Sequence, residues 1–197
     1  AWLVMAKNIG LLALQAAFRE HGNAMRALGC DVSELRQKKH LAGIDAMIIP
    51  GGESTAIGKL LVDLDMLDTV REMLREGLPV YGSCAGLILL CKTIIGSEQP
   101  RLGLLDAAVR RNAFGRQVDS FECNLPVPVL GDAPFPAVFI RAPLIESAGP
   151  EVDVLAEVEM GGQNKPVAVR QGNILATSFH PELTDDMRFH RYFLDMI

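Results

Sequence analysis

The pentapeptide Gly82-Ser83-Cys84-Ala85-Gly86 lies between a short apolar strand-like segment (residues 79–81) and an apolar run with helical character (residues 87–91). It has the pattern G-x-C-x-G, the thiol counterpart of the strand-to-helix turn that presents a nucleophilic serine. Flanking glycines leave room where the chain reverses tightly. A thiol at the start of a helix is favoured as thiolate. The N–H of Ala85, a first-turn amide without a helical partner, can donate to an oxyanion. Such a cysteine can attack a carbonyl and carry an acyl group. Taken alone, the pentapeptide fits a buried structural cysteine at a strand–helix junction equally well.

A base for that thiol is available in Ser178-Phe179-His180-Pro181-Glu182, at the end of the apolar strand-like segment 174–179. A carboxylate two residues after a histidine can lie on the same side of the chain. There it fixes the imidazole tautomer and leaves the other ring nitrogen for the thiol. The same residues also fit a surface histidine at a strand end and a solvated charge before the last helix. The order nucleophile, histidine, acid differs from the nucleophile, acid, histidine order of α/β-hydrolases. A third loop, Pro50-Gly51-Gly52-Glu53-Ser54, follows the apolar segment 45–49. In open parallel sheets ligands sit beyond the carboxyl ends of strands. The Gly51-Gly52 amides suit a second oxyanion donor there, although an ordinary βα connection has the same composition. Gly58-Lys59 lacks the preceding glycine spacing of a phosphate-binding loop.

The remaining reactive side chains invite plainer readings. Cys91 is expected on the helix that follows Cys84, packed in the core. Cys30 and Cys123 lack turn chemistry and read as buried thiols. No cysteine pair has metal-binding spacing, and His21, His40, His180 and His190 form no ligand motif. No metal site is expected. His190, in an amphipathic final helix, reads as a surface or rim residue.

The elements that must hold these loops follow from periodicity. Strand-like segments 8–14, 30–35, 45–49 and 79–81 alternate with helical segments 18–28, 55–61, 66–76 and 87–91. This order predicts an α/β fold with a mostly parallel sheet covered by helices on both faces. Prolines 126, 128, 134, 136 and 143 break the second half into short pieces. Segments 137–140, 152–158, 166–170 and 174–179 are expected as additional antiparallel strands. Thr184 is expected to cap a last helix over residues 185–196, with Asp185 and Asp186 in its first turn.

Composition bounds the class. The chain has 197 residues, 19 Lys and Arg against 24 Asp and Glu, net charge −5, and 49% hydrophobic residues. That length fits a single domain over residues 1–197. The acidic balance argues against a nucleic-acid binder. No apolar run reaches the ~18 residues of a membrane span, and the stretch after Lys7 lacks the features of a secretory signal. Unpaired cysteines suit the cytoplasm.

Three motifs together, Pro50-Gly51-Gly52-Glu53-Ser54-Thr55, Gly82-Ser83-Cys84-Ala85-Gly86-Leu87 and Ser178-Phe179-His180-Pro181-Glu182, resemble the signatures of class I (triad) glutamine amidotransferases. Segment 111–121 (Arg-Asn-Ala-Phe-Gly-Arg-Gln-Val-Asp-Ser-Phe), with Phe139-Ile140-Arg141-Ala142-Pro143, is similar to the branch of that family formed by glutaminase subunits of pyridoxal 5′-phosphate synthases. The resemblance runs from about Ile9 to the C-terminus.

It implies a flavodoxin-like three-layer fold and hydrolysis of L-glutamine to glutamate and ammonia through a γ-glutamyl thioester, without a cofactor. The ammonia passes to a separate synthase subunit, with up to twelve of each subunit in the assembly. Carried over by position, Cys84 is the nucleophile, His180 the acid/base and Glu182 its orienter. Gly51, Gly52, Glu53, Arg111, Ile140 and Arg141 line the glutamine pocket, while Gly52 and Ala85 supply the oxyanion amides. A guanidinium grips the α-carboxylate of free glutamine bidentately. Two departures stand out. Leu14-Gln15-Ala16 replaces the family's usual Leu-Gln-Gly, and Ser83 replaces a frequent threonine. Met5 is expected as the natural start, with residues 1–4 an extension. Two other readings share these motifs: another cysteine γ-glutamyl hydrolase on the same fold, and a weakly active or non-catalytic docking subunit.

Overall fold

The structure, a computed structural model, describes residues 5–14, 16–111 and 120–197. Most of segment 111–121, Gln15 of the departing loop, and residues 1–4 lie outside the described residues. The first half alternates as the periodicity predicts: β1 (Asn8–Leu12), α1 (Arg19–Ala27), β2 (Asp31–Leu35), a short 3-10 turn, β3 (Ala46–Ile49), α2 (Ser54–Asp63), α3 (Leu67–Arg75), β4 (Val80–Ser83) and α4 (Ala85–Leu90). The second half is β5 (Cys91–Ile94), β6 (Leu105–Arg110), β7 (Ser120–Leu125), β8 (Phe135–Ile140), β9 (Leu144–Ala148), β10 (Asp153–Met160), β11 (Gln163–Gln171), β12 (Ile174–Thr177) and α5 (Arg188–Asp195).

A seven-stranded sheet has the order β10-β11-β12-β4-β3-β1-β2. Strands β2, β1, β3, β4 and β12 run parallel, while β10, β11 and β12 form an antiparallel edge. The adjacency of β3, β4 and β12 matters most for chemistry. Their carboxyl ends release, side by side, the loops carrying Gly51, Cys84 and His180.

The sheet core is apolar on both faces because its central strands are buried throughout. In β3, Met47 and Ile49 join one apolar cluster with Ile57, Leu61 and Val70 of α2 and α3. Ala46 and Ile48 point the other way, toward Met25 of α1 and Phe189 and Phe193 of α5. This period-2 division is what a sheet covered by helices on both sides requires. Strands β5, β6 and β9 form a separate small sheet whose Leu105, Val109 and Ile145 join the first cluster, and the β7–β8 pair caps the second with Phe135 and Phe139. Among the described residues, no helix is long and apolar enough to cross a membrane.

Three local expectations are corrected. Helix α4 stops at Leu90, so Cys91 opens β5 instead of continuing the helix, although it is buried as expected. The last helix begins at Arg188, not residue 185. Thr184 does not cap it: its hydroxyl donates to Pro181 O and accepts from the Asp186 N–H, while Asp186 accepts from the N–H and guanidinium of Arg188. Residues 184–187, between the 3-10 turn Pro181–Leu183 and α5, are non-helical. Finally, His190 is 1% exposed and belongs to the interior.

Candidate active site

Cys84 stands at the junction of β4 and α4 with φ 53° and ψ −103°, a backbone region that L-residues seldom occupy. Its N–H donates to Thr177 O of β12 at 2.9 Å. The strain is held in place by close packing. A Cβ on Gly86 would come 2.0 Å from Ile49 O, so α4 can start against the end of β3 only if that position is bare. The thiol lies between the His180 ring, within hydrogen-bonding reach, and Ile140 O at 4.0 Å.

His180 is delivered by the loop after β12, and its N–H donates to Val138 O of β8 at 2.8 Å. Upstream, Thr177 Oγ1 donates to Phe179 O, so the Tyr81 hydroxyl, 2.6 Å away, donates to Thr177. The ring nitrogen Nδ1 lies 2.9 Å from Glu182 Oε1, which leaves Nε2 for the thiol. Burial works to lower the His180 pKa, but the hydrogen bonds to Cys84 and Glu182 and their negative charge outweigh it and raise it to about 10. Burial likewise works to raise the Glu182 pKa. The charge of His21 and the bond to His180 overcome it and bring the carboxyl to about 2. The arrangement favours an ionised Glu182 and a His180 that readily holds a proton.

The dyad opens on a cavity of about 940 Å³. Gly52, Glu53, Ala85, Arg111, Ile140 and Arg141 line it together with Cys84, His180 and Glu182. Gly51 lies beneath, against the His180 ring and the Cys84 Cβ. Its carbonyl accepts from Ala17 N–H at 2.9 Å, and Gly52 forms an isolated bridge with Ala16. The departing loop after β1 thus clamps the glycine pair directly. Glu53 has a structural task as well. It caps α2, accepting from the N–H and hydroxyl of Thr55, which with the charge of Arg111 lower its pKa. Arg141, like Cys84, has a positive φ, 44°.

Sequence reasoning missed several residues here. Glu20 and Arg110 also line the cavity, and Arg110 pairs with Glu146 at 3.1 Å. The basic doublet at 110–111 after an apolar run was the available signal for Arg110. His21 is fully buried behind Glu182, with Nε2 3.0 Å from Glu182 Oε2 and 3.0 Å from Ser83 Oγ. His21 Nδ1 lies 2.9 Å from His190 Nε2. No local pattern signals this contact, because its partners come from β4, the loop after β12 and α5.

The chain is 59% identical over 190 residues to "Pyridoxal 5'-phosphate synthase subunit PdxT" of Moorella thermoacetica, covering 96% of this chain and 99% of that protein. It is 57% identical to the protein of the same name from Desulforudis audaxviator, covering 96% and 98%. A crystal structure described as a glutamine amidotransferase superposes with a TM-score of 0.88 at 54% identity, covering 95% of this chain and 97% of the other. Residues 11–197 match the SNO glutamine amidotransferase family, and to that family this chain belongs.

Proposed function

We propose that the chain is the glutaminase subunit of a pyridoxal 5′-phosphate synthase, hydrolysing L-glutamine and handing ammonia to a synthase subunit. The observation that carries this reading is the alignment of Cys84, His180 and Glu182 at the mouth of a cavity that also presents Arg111 and Arg141. The near full-length similarity to PdxT subunits supports the same substrate and partner. The chain reads as one glutamine amidotransferase domain, supported by two apolar clusters built on a single sheet. Four unpaired cysteines support a cytoplasmic setting.

In the proposed mechanism His180 Nε2 takes the Cys84 proton, and the thiolate attacks the side-chain carboxamide carbon of glutamine. The N–H groups of Gly52 and Ala85 receive the oxyanion. The C–N bond then breaks, and His180 returns its proton to the departing nitrogen, which leaves as ammonia. Water deprotonated by His180 attacks the γ-glutamyl thioester, the C–S bond breaks, glutamate is released, and His180 returns its proton to the Cys84 sulfur. Glu182 holds Nδ1 throughout. Arg111 and Arg141 are assigned to the substrate α-carboxylate. The test is ammonia release from glutamine, with and without synthase subunit, for the parent chain and Cys84→Ala. Activity that depends on Cys84 and rises with the partner is expected. Full activity in Cys84→Ala would overturn the scheme.

A further inference from the structure

We infer that His21 is a positioning residue of the glutaminase reaction, extending the line Cys84–His180–Glu182 to a second imidazole that holds the far oxygen of Glu182. The inference rests on the function proposed above and concerns a group which that mechanism does not use.

Glu182 divides its two oxygens. Oε1 faces His180, while Oε2 is buried, accepts no in-line hydrogen bond among the described residues, and has His21 Nε2 at 3.0 Å. A bare nitrogen lone pair at that distance would repel a carboxylate oxygen, so the proton of His21 belongs on Nε2. There it is directed at Ser83 Oγ, also 3.0 Å away, and the positive end of the same N–H lies beside Glu182 Oε2. A buried carboxylate with nothing opposite Oε2 would favour protonation or rotation away from His180.

The groups around His21 come from every element packed on it. Ser83 and Tyr81 belong to β4, with the Tyr81 ring edge-on at 5.8 Å. Glu182 belongs to the loop after β12, and His190 to α5. His190 is held neutral, since burial and then the charge of His21 bring its pKa to about 3. A neutral His190 can accept from Nδ1–H of a charged His21 or donate to Nδ1 of a neutral one. A histidine serving only as core filler needs neither an acid on one side nor a neutral imidazole on the other.

The test uses His21→Phe and His21→Gln in complex with the synthase subunit, with kcat and KM for glutamine measured across pH. Alkylation of Cys84 by iodoacetamide, followed by peptide mass spectrometry across pH, reads the same relay without turnover. His21→Phe is expected to lower kcat by about ten- to a hundredfold, with little change in KM, as small misplacements of catalytic groups do. It should also move the alkaline limb of the kcat profile to lower pH and the rise of the alkylation profile to higher pH, because His180 loses a firm carboxylate. His21→Gln, which keeps an N–H, should restore most of both. Because variants can misfold, nitrogen-15 histidine spectra of the parent chain are the second measurement, with the His21 proton expected on Nε2. Unchanged profiles in His21→Phe, no rescue by His21→Gln, or a proton-free Nε2 would each overturn the inference. Activity surviving in Cys84→Ala would instead overturn the proposed reaction, while the alkylation profile still reports on His21.

Discussion

A methyl group on Gly51 would stand 2.7 Å from His180 Cε1 and 3.7 Å from the Cys84 Cβ. The backbone of the loop after β3 is therefore the floor on which the His180 ring rests. The same residue's carbonyl is tied to Ala17 N–H, so this floor is continuous with the loop after β1.

Gly51→Ala is accordingly expected to displace His180 and lower kcat/KM by about a hundredfold, the usual cost of a misplacement near 1 Å. Steady-state glutaminase assays beside far-ultraviolet circular dichroism would check this. A kcat/KM within threefold of the parent, in a folded protein, would show that the contact does not constrain the ring.

Strain at Cys84 predicts opposite effects on activity and stability. A non-glycine residue at φ 53° and ψ −103° costs on the order of 1–3 kcal/mol. Cys84→Gly removes that cost but adds freedom to the unfolded chain, typically about 0.5–1 kcal/mol. The variant should be inactive and more stable by about 1 kcal/mol. Chemical denaturation midpoints of parent and variant would decide it, with equal or lower stability as the contrary result.

The pH dependence of stability should carry the signature of the Glu182–His180 pair. Glu182 falls from 4.5 to about 2 on folding, so its contribution is present above pH 4.5 and fades as pH drops toward 2. His180 rises from 6.5 to about 10, so its contribution is complete below pH 6.5 and fades as pH climbs toward 10. The stability lost in Glu182→Gln should then be largest between pH 4.5 and 6.5. Urea titrations across pH measure it; a difference that grows above pH 8 would contradict the assignment.

His190 predicts a separate acid sensitivity. With its folded pKa near 3 against 6.5 unfolded, the unfolded chain binds this proton first as pH falls. The parent therefore loses stability on acidification from 6.5 toward 3, and His190→Gln should flatten that part of the curve. A slope identical to the parent's would show that His190 is already charged in the folded protein.

Glu53 serves a helix and a cavity at once. Glu53→Ala should cost about 1 kcal/mol through loss of the α2 cap. It should also raise KM for glutamine, whereas Thr55→Val should lower stability with KM unchanged. Thermal melts and kinetics on both variants separate the roles.

Much of this site was legible because each of its three loops joins local turn chemistry to an apolar strand. Gly51-Gly52, Cys84 and His180 each follow a run that can be recognised without any distant contact. The β5–β6–β9 sheet and the β7–β8 pair were harder to read. Their short strands gain stability only from partners remote in the chain, such as Val109 opposite Ile145. His190 was misplaced for a related reason. It borders the apolar stripe of Phe189 and Phe193, and whether such a histidine turns inward depends on a polar group waiting there. That group is His21, 169 residues away.

The sequence by itself determined the class of chemistry, the alternation that builds a parallel sheet, and the three loops that carry the proposed reacting groups, because turn residues and burial periodicity act over a few neighbours. Only the tertiary structure decided that β3, β4 and β12 lie side by side, that Ala16 and Ala17 grip the glycine pair, and that Glu182 has an imidazole on each side. Strand order and buried polar contacts follow from the lowest-energy burial of the whole chain, which no local window contains.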